Sequence, residues 1–348
     1  MAPPTLHQES SVTVPPTSSP PVNARSKPIT KSNGIDTFGT LNQLPSRHMS
    51  YQIGVSAAQG QRGTMEDTYG FVVDFDAVHG QGLFAVFDGH GNQLAAEWCG
   101  TEFHQHILSA IRSHPNAAIA DALSVAFDTM DKALSHLSNT SEAMASSGST
   151  AVTAFLRIED VNRRQPFMST QQESSLERTS RPSEKASITP PTTCRRVLYC
   201  ANVGDSRAVL SRGGEPMRLT HDHRTSDIGE AARIRNENGV IFNGRVNGYV
   251  NVTRSLGDHI CEGDYSLKKC IISVPYTSRT ELVDEDEFLI LACDGLWDVI
   301  SDLEAVQHIQ HIEDAEIASL ALLDLALAKG THDNVTVIVV WFKPFGVA

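Results

Sequence analysis

Apolar residues recur at two periods along this chain. At steps of three and four they mark helices: Ile119, Leu123, Phe127, Met130, Leu134 and Leu137 share one face, as do Leu94 with Trp98 and Ile107 with Ile111. Short β-rich runs, Leu83 to Phe87, Val197 to Val203, Ala208 to Leu210, Phe288 to Leu291 and Val335 to Val340, predict buried strands. The strands cluster rather than alternating one for one with helices. That order predicts an α+β fold of antiparallel sheets covered by helices, not a doubly wound parallel sheet. The longest apolar stretch, Val335 to Phe342, is broken by Thr336 and falls far short of the roughly 20 residues that span a bilayer.

Two stretches lack either period. Residues 1–48 hold eight of the 16 prolines and residues 159–196 four more, and both are rich in Ser and Thr. Segments that bury little apolar surface cannot offset their ordering entropy. We therefore expect a disordered tail over 1–48 and one domain over 49–345, with a disordered insertion at 159–196 inside a hairpin. The chain of 348 residues carries 28 basic and 41 acidic side chains, a net charge of −13. Setting both polar stretches aside leaves 17 basic against 34 acidic, so the folded part is more acidic still, at −17. Such a surface repels phosphate backbones, which argues against nucleic-acid partners. The six cysteines show no C-x-x-C spacing, and the N-terminus has no basic-then-apolar leader. These features predict a soluble, reduced protein of the cytoplasm or nucleus, without a membrane partner.

Acidic residues punctuate the apolar runs. Asp88 follows Phe84-Ala85-Val86-Phe87 and precedes Gly89, and Asp294 follows Phe288 to Cys293 and precedes Gly295. Asp-Gly is a common turn dipeptide, yet it is also how a rigid sheet presents an oxygen ligand at a strand end. Glu66, Asp67, Asp205, Asp298 and Asp333 border apolar runs in the same way. If they converge, each pair about 4 Å apart repels by about 4 kcal/mol at an effective dielectric near 20. Convergence therefore demands cations, and an all-oxygen ligand set favours Mg²⁺ or Mn²⁺ over Zn²⁺.

The series Arg62-Gly63-Thr64-Met65-Glu66-Asp67, Phe87-Asp88-Gly89-His90-Gly91, Ser147 to Ala151, Gly204 to Arg207, Arg245 to Gly248, Ser255 to Asp258, Cys293 to Asp298 and Asp333 to Thr336 resembles the ordered motifs of the metal-dependent Ser/Thr protein phosphatases, the PPM or type 2C family. The stretches Arg245 to Asp258 and Phe288 to Ile300 resemble fungal members that switch off stress-responsive MAP kinase cascades. The resemblance implies a four-layer αββα sandwich with two metal ions at one end. It implies that Asp88 bridges both ions, that the Gly89 carbonyl joins one, and that Asp294 and Asp333 complete the other. Glu66 and Asp67 would hold bound waters. Asp205 and Asp298 would contribute to a weaker third ion, Arg62 would bind phosphate, and His90 would be the general acid. Arg245 and Asn247 would belong to a substrate flap. The implied activity is hydrolysis of phosphoserine and phosphothreonine in proteins by a metal-bridging hydroxide. The implied partners are MAP kinases or their activators, met by a monomer.

Other chemistries fit less well. No cysteine has the arginine six positions on that a cysteine-based phosphatase needs, and Gly80-Gln81-Gly82 leads into a strand rather than a helix, unlike a dinucleotide fingerprint. His221 and His223 look like a metal pair, yet a polar turn fits them better, and Cys293 fits a buried inert thiol. His332, beside Asp333, suggests that protonation weakens metal binding and lowers activity below about pH 6.5. The competing reading is a catalytically inactive phosphatase-like scaffold. The presence of Asp67, Asp88, Asp294 and Asp333 favours the enzyme.

Overall fold

The computed structural model describes residues 50–168, 188–262 and 265–342, together with the backbone pairing of three two-residue strands between Lys27 and Arg47. Most of the expected tail over 1–48, and the centre of the expected insertion, lie outside these residues. The insertion's flanks are folded. Its first residue, Glu159, ends β-strand Ala151–Glu159, Arg195 and Arg196 open the next, and Phe167 and Met168 pack against Val78, Ile158 and Cys194.

Ten strands carry the architecture: β1 Tyr51–Ala58, β2 Thr68–Val73, β3 Gly82–Phe87, β4 Ala151–Glu159, β5 Arg195–Val203, β6 Arg207–Arg212, β7 Glu215–Arg218, β8 Tyr276–Glu281, β9 Asp286–Ala292 and β10 Val335–Phe342. One antiparallel sheet runs β2-β3-β4-β5-β8, with the short strands Thr40–Leu41 and Lys27–Pro28 beyond β2. The other runs β7-β6-β9-β10-β1, with Ser46–Arg47 beyond β1. The main helices are α1 Leu94–Ser113, α2 Ile119–Ser138, α3 Ile228–Asn236, α4 Asp294–Trp297, α5 Asp302–Ile309 and α6 Ala315–Ala328, and a further single turn spans Glu142–Ala145.

Strand alternation divides the core into layers. In β3, Leu83, Ala85 and Phe87 pack with residues of α1 and α2, whereas Phe84 and Val86 pack between the sheets. In β9, Leu289 and Leu291 face the inter-sheet layer, and Phe288 and Ile290 pack with Leu296, Val306 and Leu322 of α4, α5 and α6. Both faces of each sheet are thus covered, which is why these strands read as continuous apolar runs. The αββα sandwich follows from period-2 alternation between two helical coats.

A separate small core of Ile234, Val246, Leu267, Cys270 and Ile271 supports a flap beside the sandwich. Asp227 caps α3 by accepting from the Glu230 backbone N–H at 2.9 Å. The Glu230 carboxylate in turn accepts from Arg233, Thr253 and Arg254. Asp227-x-x-Glu230 is a capping-box spacing visible in the sequence. Burial alone would raise Glu230, but Arg254, Arg233 and Thr253 outweigh it and hold its pKa at about 2.

A pKa depressed on folding stabilises the fold above the unfolded value and ceases to do so as pH falls toward the folded one. Glu230→Gln should therefore lower stability at pH 7 by about 2 kcal/mol, and the deficit should narrow below about pH 4.5, as read by denaturant unfolding against pH. Gly54 of β1 lies directly against α6, where an added Cβ would stand 1.8 Å from the Ala315 carbonyl oxygen. Gly54→Ala should cost at least about 3 kcal/mol in the same assay, because backbone must move to admit the methyl.

Candidate active site

The antiparallel registers bring strand ends level at one end of the sandwich: Thr68 is opposite Phe87, Ala151 opposite Val203, and Arg207 opposite Ala292. The acidic residues sit just beyond these ends. Asp88 follows β3, Asp205 follows β5, Asp294 opens α4 after β9, and Asp333 precedes β10. All four line one cavity of about 610 Å³, together with Glu66 and Gly89. Arg62, His90 and Arg245 line it as well.

The carboxylates raise one another's pKa. Asp88 is held well above its ordinary range by burial first, and then by Asp67, Asp294, Asp205 and Asp333. Asp294 is raised by burial and then by Asp205, Asp298 and Asp333. One Asp294 oxygen is buried without a hydrogen-bond donor, and one Asp205 oxygen is buried with only the Arg224 guanidinium beside it, at 3.0 Å. Buried, mutually repelling oxygens of this kind fit a hard divalent cation.

Asp67 lies beneath the cavity rather than in its lining. Burial pushes it up to about 6, opposed by the Thr336 hydroxyl, which donates to it at 2.8 Å. Asp67, Asp88 and Cys293 place ligand atoms within 4.8 Å of one another. Cys293 nevertheless stays a thiol: burial, then Asp67 and Asp88, raise its pKa well above the usual value. Its sulfur donates to the Asn334 carbonyl and accepts from the Thr336 N–H, a structural role. Glu66 is placed by its backbone N–H, which donates to the Asn334 amide oxygen at 2.8 Å, and its carboxylate accepts from Thr64.

His90 Nε2 lies 2.9 Å from both carboxylate oxygens of Asp258, which is 1% exposed. Burial alone would lower the imidazole, but Asp258, followed by Asp205 and Glu66, more than offsets it and raises the pKa. Gly148 makes the pairing possible, since a Cβ there would stand 2.2 Å from His90 Nε2 and 2.4 Å from Asp258 Oδ2.

Asn247 lies in the flap and outside the cavity lining: its side chain accepts from the Val240 N–H at 2.7 Å and clamps the flap hairpin, with φ at 51°. Arg245 does line the cavity, as do Tyr249 and Asn251. Asp298 also stays outside the lining and is bound by Arg224 at 2.5 Å. The same guanidinium stands 3.0 Å from Asp205 and 4.0 Å from Asp294. The carboxylates expected at a third ion thus already share a cation, a fixed guanidinium.

In Thr220-His221-Asp222-His223-Arg224 neither histidine lines the cavity, as the polar-turn reading expects. His221 pairs with Asp227 at 3.0 Å. His223 is buried, is lowered to about 4 by that burial, and meets the Gly204 carbonyl. Asp258 received no role although its motif was visible. His332 meets the Gln61 side-chain oxygen at 3.0 Å, and Arg62 pairs with Asp333 at 2.6 Å.

The geometry agrees with comparison to known proteins. The Protein phosphatase 2C family model matches residues 51–162 and 173–335. The chain is 37% identical over 295 residues to Protein phosphatase 2C homolog 1 of Saccharomyces cerevisiae, covering 84% of this chain and 94% of that protein. It is 32% identical to the Schizosaccharomyces pombe protein of the same name, covering 89% and 78%. The solved serine-threonine phosphatase 2C of Toxoplasma gondii shares the fold, with a TM-score of 0.65 at 19% identity, covering 86% and 97%. This chain belongs to the protein phosphatase 2C family. It is a protein phosphatase of the serine/threonine class, with phosphoproteins as its substrates.

Removing the shared cation should expose the repulsion it offsets. Arg224→Ala should destabilise the chain in chelator by about 2 kcal/mol, measured by denaturant unfolding. Adding Asp205→Asn to that variant should restore at least half of the loss, because the second substitution removes one uncompensated charge.

Proposed function

We propose that this cleft hydrolyses phosphoserine and phosphothreonine with divalent cations held by Asp88, the Gly89 carbonyl, Asp294 and Asp333, and that the protein thereby dampens kinase signalling. The reading is carried by one observation: the half-buried Asp88 and the buried Asp294 carboxylates face the same cavity as the paired His90 and Asp258. Glu66 and Asp67 would hold waters around the ions. Bound Mg²⁺ or Mn²⁺ would supply an acidified water as nucleophile and stabilise charge on the phosphoryl oxygens.

The chain's own groups supply the rest. Arg62 presents a guanidinium to the cavity, and a substrate phosphate can compete with Asp333 for that fork. His90 donates a proton to the departing Ser or Thr oxygen, a step worth about 10² to 10⁴ in rate. Asp258 aims the imidazole and favours its protonated form. Arg245 and Tyr249 offer the flap's contacts to peptide flanking the phosphate.

In this reading the substrates are phosphorylated MAP kinases or their activators, met by a monomer in the cytoplasm or nucleus. The support is the likeness of Arg245 to Asp258 and Phe288 to Ile300 to fungal members of that kind.

A phosphothreonine peptide assayed with Mn²⁺ should release phosphate, and chelator or Asp294→Ala should abolish release. A chain that binds the peptide but shows no chelator-sensitive turnover is the scaffold instead. His90→Gln and Asp258→Asn should lower kcat on the peptide by about 10²-fold or more. Both should lose far less on p-nitrophenyl phosphate, whose leaving group needs no proton. Equal losses on the two substrates would remove the acid role.

A further inference from the structure

The opposite end of the sandwich holds a second cavity, of about 1140 Å³, between the α1–α2 connection and the β4–β5 hairpin. β4 joins the two ends, with Ala151 beside the catalytic cleft and Glu159 here, roughly 27 Å apart at strand rise. In an acidic protein this cavity is lined by five arginines, Arg112, Arg157, Arg163, Arg164 and Arg279. Their countercharge is incomplete. Arg112 pairs with Asp76, while Arg157 and Arg279 share the single carboxylate of Glu159, which is fully buried, and Arg279 also stands 3.8 Å from Glu281.

Arg157 is the informative member. Its side chain is nine-tenths buried, and only its Nε is engaged, donating to Glu159 at 3.2 Å. Its two terminal nitrogens have no partner among the described residues. Burial costs its charged form more than Glu159, Tyr199 and Asp76 return, so its pKa is lowered. Arg163 and Arg164 are exposed, and their side chains form no ion pair among the described residues.

The backbone beneath them is fixed. The Asp160 carboxylate accepts from the N–H groups of Asn162 and Arg164, each at 2.8 Å. The Gln165 amide donates to Gln81 and to the Ile158 carbonyl. Across the cavity, Ala118 to Ala120 open the 20-residue α2, and no side chain caps its N-terminus. Free N–H groups there add partial positive charge. Asp121 of the first turn is exposed and lies outside the lining.

From these features we infer that this cavity is an anion seat that binds a phosphorylated Ser or Thr segment of a protein partner, without metal and apart from the catalytic cleft. Guanidinium forks match phosphate oxygens in pairs. The net charge of −13 opposes extended polyanions. A short segment carrying one phosphate meets the local arginines without the wider surface. A protein phosphatase encounters such segments on multiply phosphorylated substrates, and one held here would be kept from hydrolysis.

The test uses the full chain in chelator, so that it does not depend on catalysis. The probe is a labelled peptide carrying one non-hydrolysable phosphonate analogue of phosphoserine, followed by fluorescence anisotropy. Arg163→Ala with Arg164→Ala, both exposed, should weaken binding about tenfold at unchanged Tm. Arg62→Ala at the catalytic cleft should leave most of the binding intact. The same peptide with plain serine should bind at least tenfold more weakly. Undiminished binding by the double variant, loss of binding with Arg62→Ala alone, or equal affinity for the serine peptide would overturn the proposal. Tighter binding to vesicles of anionic phospholipid than to the peptide would make the cavity a membrane seat and also overturn it.

Discussion

Repulsion among buried carboxylates is the constraint on which the rest of this structure turns. Asp67, Asp88, Asp205 and Asp294 are drawn together at the end of a sandwich whose apolar layers hold them there, and burial raises the pKa of each. Two such charges about 4 Å apart oppose folding by about 4 kcal/mol at an effective dielectric near 20. A protein tolerates that cost where a ligand relieves it, and here the donor set is oxygen alone. The scaffold meets the cost through three tightly packed layers, with Phe84, Phe87 and Phe288 wholly buried among them.

Local devices divide the positive charge around this acidic floor. Arg224 neutralises the side near Asp205 and Asp298, Arg62 neutralises Asp333, and Asp258 favours the protonated form of His90. The first is a fixed structural cation. The second can be exchanged for phosphate oxygens, and the third carries a transferable proton. One electrostatic field therefore supports three tasks, and the difference lies in how each cation is held.

Much of this was legible in the residues. Apolar runs of four to seven located the buried strands, and an aspartate immediately after such a run located Asp88 and Asp294, because a strand end is a place where a rigid frame can expose a carboxylate. The motif order supplied the family. What stayed hidden depends on contacts across long separations. Asp258 reaches His90 over 168 positions, and no periodicity links them. Arg224 sat behind two histidines that looked more chemical, although burial makes His223 neutral and structural. Asn247 was legible as part of the flap, but its service to the hairpin turn rests on a positive φ and on its bond to the Val240 N–H. The arginine cavity at the far end was invisible because its members come from a helix end, a hairpin turn and separate strands.

The most direct test of the central claim is the melting temperature of the full chain at pH 8 in chelator and in excess Mn²⁺, compared with that of Asp88→Asn. If carboxylate crowding is relieved by divalent cations, the parent chain should gain several degrees with Mn²⁺. The variant should then melt higher than the parent in chelator and respond little to the ion. A parent chain indifferent to Mn²⁺, with Asp88→Asn melting no higher in chelator, would contradict the account.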